Sequence, residues 1–99
     1  MAVKILIKRQ LKEGHFDRAA EMIIQARTNA LGKTGYISSE TLRSLDDPRE
    51  ILIISMWETQ SDWENFKDSP GRREMEAVFS QYLEGPTRYQ AYGMGLRER

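Results

Sequence analysis

The segment Glu50-Ile-Leu-Ile-Ile-Ser-Met-Trp57 is apolar at both its odd and its even positions. Successive side chains of a strand point to opposite faces, so a strand of this kind needs cover on both sides. It belongs in the middle of a sheet, and the rest of a 99-residue chain must provide both covers. That length makes one domain with one modest core.

No internal repeat is evident, although the elements follow a loose twofold pattern of strand, helix and strand. From Val3 to Leu11 the odd positions Val3, Ile5 and Ile7 are β-branched, while Lys4, Lys8 and Gln10 take even positions around Leu6, which predicts strand one. After Gly14, apolar residues recur at three- and four-residue steps from Phe16 through Ala19, Ile23 and Ala26 to Leu31. Gly32 follows as a suitable helix-ending residue, which predicts helix one. Strand two is expected within Thr34 to Leu45, closing on the turn formers Asp46-Asp47-Pro48. Beyond the central strand, Ser61-Asp-Trp-Glu64 fits a capping box. Ser69-Pro70 supplies a second cap with Pro at the first helical position, so helix two is expected to break near Pro70. It then restarts with Met75, Val78, Phe79, Tyr82 and Leu83 on one stripe. Thr87 to Leu96 carries Tyr89, Ala91, Tyr92 and Met94 and predicts strand four.

The order βαββαβ predicts an α+β, ferredoxin-like fold, with a four-stranded antiparallel sheet and both helices on one face. The domain is expected to span residues 1–96, with 97–99 a tail. Two helices cover one face only. The other displays Leu52, Ile54 and Met56 or else Ile51, Ile53 and Trp57, the register being open at this stage. An apolar patch of that size predicts a homodimer packed through its sheet faces, burying about 1,600 Å² in total.

Composition narrows the chemistry. The 15 Lys and Arg balance the 15 Asp and Glu, which gives no global basic field for nucleic acid or anionic lipid. With no Cys and a single His, neither a thiolate nucleophile nor a metal site is expected, and no cofactor is implied. The longest apolar run, Ile51 to Ile54, is far short of a membrane span, and the opening residues lack a signal-peptide core. A cytoplasmic protein is the expectation. An RNA-recognition module has the same element order, but it needs basic and aromatic residues on its central strands, where this chain has Ile51-Leu-Ile-Ile-Ser-Met56.

The stretch Trp57-Glu-Thr-Gln-Ser-Asp-Trp-Glu-Asn-Phe-Lys-Asp-Ser-Pro70 lies between the central strand and the second helix. Together with the Gly35-Tyr36 turn and the closing Glu84-Gly-Pro-Thr-Arg-Tyr89, it resembles the antibiotic biosynthesis monooxygenase (ABM) family over essentially the whole chain. The resemblance implies a dimeric α+β barrel of two ferredoxin-like sheets. Its members include oxygenases that attack polycyclic aromatic substrates with O₂ and neither metal nor flavin, and others that break down haem. Where the haem-degrading members carry Asn, Trp and His, this chain offers Ile7 or Lys8, Phe66 and Glu76, so haem degradation is not expected.

Three residues are candidates for catalysis. Trp57 ends the central strand where sheet meets helix, so its ring can stack on a planar substrate, although a strand-end aromatic more often packs in a core. Tyr36, in the turn into strand two, can present a phenol, as can Tyr82, Tyr89 and Tyr92, the register that aims them being open. His15 stands at the mouth of helix one, and imidazole is the side chain that takes a proton near neutral pH. Any pocket is expected between helix one, helix two and the inner sheet face. Trp63 and Phe66 read as core, Arg27 as a snorkelling side chain or an anion ligand, and Arg72-Arg73-Glu74 as solvated surface charge. These features lead to two expectations: a small metal- and flavin-free monooxygenase of aromatic or quinol-like molecules, or a non-catalytic dimeric ligand-binding or structural domain of the same fold.

Overall fold

In the computed structural model, residues 1–96 are described, and the expected tail at 97–99 lies outside them. The element order is β1 (Val3–Gln10), α1 (Phe16–Ala30), β2 (Tyr36–Arg43), β3 (Glu50–Trp57), α2 (Gln60–Lys67), α3 (Pro70–Phe79), a short 3₁₀ turn (Ser80–Tyr82) and β4 (Arg88–Gly93). The strands form one antiparallel sheet in the order β2-β3-β1-β4. This is the ferredoxin-like arrangement expected from the sequence, with the two-sided strand β3 in the interior. No helix among the described residues is long and apolar enough to cross a membrane.

Register decides which apolar set faces the helices. Val3 pairs with Trp57, Ile7 with Ile53 and Arg9 with Ile51, so the odd positions of β1 and β3 share the inner face. Val3, Ile5, Ile7, Ile51 and Trp57 are buried there. Leu6 pairs with Ile54, and Leu52 and Met56 lie on the same outer face, half-buried by their neighbours alone.

β2 would present the wrong side chains to the inner face but for one irregularity. Its register shifts between Tyr36 and Ser38, leaving Ile37 as an extra residue and bringing Tyr36 opposite Trp57. Such a bulge re-aims a side chain at the cost of one unpaired residue. Tyr36 thereby joins the helix side, while Ile37 is left 46% exposed.

The helices start and stop close to where their residues predict, with corrections. α1 is closed by Gly32, whose φ of +80° suits a residue without a Cβ. The break at Pro70 separates α2 from α3. The cap of α2 is Thr59 rather than Ser61, because the Thr59 hydroxyl accepts from the Asp62 amide at 3.0 Å. The Ser69 hydroxyl, expected to cap α3, instead donates to the Phe66 carbonyl at 2.7 Å. On α3 the inward stripe is Arg72, Glu76 and Phe79. Val78, expected on it, is 47% exposed, and the supposedly solvated Arg72 is buried. Gly35 has a φ of +81°, and a methyl there would sit 2.6 Å from Asp62 Cβ, so the turn into β2 needs glycine while α2 packs against it.

The core falls into two clusters. One gathers Leu11, Ala19, Ile23, Ile51, Phe79 and Leu83. The other gathers Val3, Ile5, Ile7, Trp57 and Trp63, and Ile53 touches both. Arg9 stands on β1 between them.

Candidate functional site

Above the inner face, α1, α2 and α3 leave an apolar cleft over Ile53 and Ser55. It lies where the sequence places a pocket. Tyr36 and Trp57 form one wall, Trp63 and Phe66 of α2 the next, and Arg9, Arg27 and Arg72 also line it. With about 50 Å³ of free room, it is far smaller than the roughly 300 Å³ at which ligand pockets begin. As it stands, it does not enclose a ring system.

The aromatic wall is continuous. The Tyr36 ring meets Trp57 edge-on at 5.4 Å between centroids, Trp57 lies 5.1 Å from Phe66 and 5.9 Å from Trp63, and Trp63 lies 5.8 Å from Tyr89. Tilted and edge contacts at these separations are the favourable ones for rings. The Trp57 indole donates to Ser55 Oγ at 3.2 Å, and the Tyr36 and Ser39 hydroxyls are 2.8 Å apart. Both side chains are thus oriented by serines of the inner face, two residues along β3 and three along β2.

Arg9, Arg72 and Glu76 make a buried ionic cluster at the α3 side of the cleft. Glu76 Oε1 accepts from both Arg9 Nη2 and Arg72 Nη1, and Oε2 accepts from Thr87 Oγ1 at 3.2 Å. Arg72 Nη2 lies 3.4 Å from the Tyr89 hydroxyl. The Arg9 guanidinium also sits 4.7 Å from the centre of the Phe79 ring, a cation–π contact. Burial works to raise the pKa of Glu76, but the combined pull of Arg9 and Arg72 outweighs it and holds the carboxyl below its ordinary value. Burial raises the Tyr89 phenol, which stays protonated, and lowers the Arg9 guanidinium against the attraction of Glu76. Two arginines share one carboxylate, so the cluster carries an excess positive charge.

Of the three sequence candidates, Trp57 and Tyr36 come together and His15 does not join them. His15 caps α1 without a side-chain hydrogen bond, its ring 5.7 Å from Tyr82, and it is not among the cleft residues. Arg9 and Arg72 escaped the sequence reading. The one available signal was Arg9's odd position, in register with Val3, Ile5 and Ile7 on an otherwise inward series. Asp46 and Asp47 form the turn as read, with Asp47 Oδ1 accepting from the Arg49 amide at 3.0 Å. Among the described residues no group of three His, Cys, Asp or Glu side chains is placed to hold a metal ion.

A sequence model described as antibiotic biosynthesis monooxygenase matches residues 2–78. The chain belongs to the ABM family. Solved structures agree on the fold. A conserved protein from Methanosarcina mazei Go1 superposes with a TM-score of 0.86 at 17% identity, covering 93% of this chain and 91% of that one. A protein from Mycobacterium tuberculosis superposes at 0.85 with 14% identity, over 99% and 98%. SnoaB, a cofactor-independent oxygenase from Streptomyces nogalater, superposes at 0.84 with 10% identity, over 97% and 95%. No curated protein sequence matches the chain. At such identities the likeness to this ABM chain is one of fold.

The two-to-one charge ratio makes the cluster asymmetric to mutation. Glu76→Gln leaves two buried guanidiniums uncompensated and is expected to destabilise the fold by about 3 kcal/mol, in line with breaking a buried pair. Arg9→Met leaves a one-to-one Arg72–Glu76 pair and is expected to cost clearly less. Because the folded-state pKa of Glu76 is depressed from 4.5, its contribution is complete above that value and is lost as pH falls through the lower folded one. Thermal melts from pH 7 to 3 check both points: the wild type should lose stability in the acid range more steeply than Glu76→Gln. Equal costs for the two variants, or parallel acid slopes, would contradict the cluster's role.

Proposed function

We propose that this chain is a small monooxygenase that oxidises an aromatic or quinol-like molecule with O₂, using neither metal nor flavin. The observation that carries the reading is the aromatic cleft of Tyr36, Trp57, Trp63 and Phe66 on the helix side of an ABM fold. A cleft of this kind supplies a dry, oriented environment for a substrate that brings its own electrons. A phenol-type substrate ionises and passes one electron to O₂, and the radical pair joins at a ring carbon as a hydroperoxide. Loss of water then leaves a carbonyl. One oxygen atom ends in the product and one in water, and the substrate provides all four electrons. Among the described residues no His, Asp or Glu lines the cleft, and in this scheme the substrate proton leaves to water rather than to a side-chain base. In this scheme Trp57 and Tyr36 stack on and orient the ring. His15, beyond the cleft, is left out of the chemistry.

The small volume of the cleft favours a second reading, a non-catalytic dimer that holds a ligand or only itself. Oxygen uptake with a panel of quinols and flavonoid-like phenols separates the two. Turnover is expected for the oxygenase, and binding without oxygen consumption would contradict it. Trp57→Phe removes the indole N–H but keeps most of the apolar volume. Turnover should fall on the order of 10²-fold, as expected when a reacting ring is misplaced, with little change in melting temperature. Equal losses of turnover and stability would make Trp57 a packing residue.

The active form in this proposal is a homodimer joined through the outer sheet faces as an α+β barrel. Its support is the ridge of Leu6, Leu52, Ile54 and Met56, framed by Lys4, Lys8, Glu40 and Arg88, an apolar centre within a charged rim. Sedimentation is expected to give about twice 11.5 kDa, and Ile54→Asp should give the monomer. A monomeric wild type would exclude the barrel.

A further inference from the structure

Arg9 occupies a position where the alternation of β1 calls for an apolar side chain, and its side chain is 1% exposed. Glu76 takes its Nη2, whereas Nε and Nη1 have no hydrogen-bond partner among the described residues. Buried polar groups are nearly always paired, and an unpaired donor on a charged group costs more than a neutral one. The lining of the cleft adds to the imbalance. Among the described residues it includes Arg9, Arg27 and Arg72 but no Asp or Glu, and the carboxylate behind it, Glu76, is already shared by two guanidiniums. Free donors, excess positive charge and an aromatic wall therefore converge on one enclosure.

We propose that this end of the cleft is an oxyanion site, and that the ligand is a planar aromatic molecule bearing a delocalised oxyanion, a carboxylate or a phenolate. Its ring lies over Ile53 and Ser55 beside Trp57 and Phe66, and its anionic oxygen turns toward Arg9 and Arg72. The free Arg9 donors lie away from solvent, where a charge-assisted hydrogen bond is short and strong and water does not compete for it. Arg27, exposed in the last turn of α1, stands at the edge of the same cleft and attracts the anion on approach. For a phenol, the same charge favours the ionised form within the cleft, which is the form that passes an electron to O₂.

The inference rests on the reading of the cleft as an aromatic-binding site, and the test separates the two. Benzoate and its neutral isostere benzamide are titrated calorimetrically into the full chain at pH 7. Benzoate is expected to bind at least about tenfold more tightly, as one charge-assisted hydrogen bond to a guanidinium implies. Arg9→Met, in which Arg72 and Glu76 remain a balanced pair, should abolish the preference for benzoate over benzamide when both are measured on that variant. Should Arg9→Met not fold, Arg9→Lys keeps the charge but removes the guanidinium donors, and it is expected to lose most of the preference. Equal binding of the two probes by the wild type would overturn the oxyanion site yet leave the aromatic cleft standing. A benzoate preference that survives the Arg9 substitution would also overturn it, and binding of neither probe would overturn both readings.

Discussion

The sharing of Glu76 by Arg9 and Arg72 is the interaction around which the inner side of the molecule is arranged. It ties the central strand β1 to α3, and through Thr87 and Tyr89 it also reaches the approach to β4 and the edge strand itself. Because it lies between the Leu11–Phe79 cluster and the Val3–Trp57 cluster, it divides what would otherwise be one apolar core. A buried ionic group of this kind contributes little net stability compared with well-packed hydrophobic side chains. Its stoichiometry is harder still to explain by stability, since a one-to-one pair would avoid the unmatched charge. An arrangement that keeps two guanidiniums for one carboxylate beside an aromatic cleft is better suited to receiving an anion than to holding a fold.

The two faces of the sheet divide the remaining work. Strand alternation sends Trp57, Ile53 and Ile51 inward and Met56, Ile54 and Leu52 outward, so one strand furnishes both the floor of the cleft and the centre of the proposed dimer contact. The inner floor is held by ladders on both sides of β1 and β3, which fixes the cleft residues on rigid elements. The helices above it supply the other walls, Ala26 and Ala30 from α1 and Trp63 and Phe66 from α2.

Much of the fold was legible because it rests on periodicity. The two-sided β3, the alternating β1, the stripe of α1 and the Ser69-Pro70 restart are each dictated by local residues, and together they define the strand order. The Trp57–Tyr36 end of the cleft was legible for the same reason, as strand-end aromatics beside a helix. Other features depend on tertiary context. The bulge at Ile37 decides where Tyr36 points, and a bulge leaves no mark in the alternation of Tyr36-Ile37-Ser38-Ser39. Thr59 caps α2 because the chain leaves β3 early enough for its hydroxyl to reach the Asp62 amide, whereas Ser61 matches the same pattern and lies inside the helix. Arg72 sits in a run of charge that reads as solvated, and it is buried by its contacts with Glu76 and, from other elements, with Tyr89 and Phe66.

The central claim is that small aromatic molecules bind between the helices and the inner face of the sheet. The chain has two Trp, and both line that cleft, so their indole N–H resonances report on it directly in a ¹H–¹⁵N spectrum titrated with a quinol. The account predicts that both indole signals shift with one common affinity, together with the amides of Tyr36 and Phe66. Shifts confined to the outer-face residues Leu52, Ile54 and Met56, or to the surroundings of His15, with both indole signals unmoved, would contradict it.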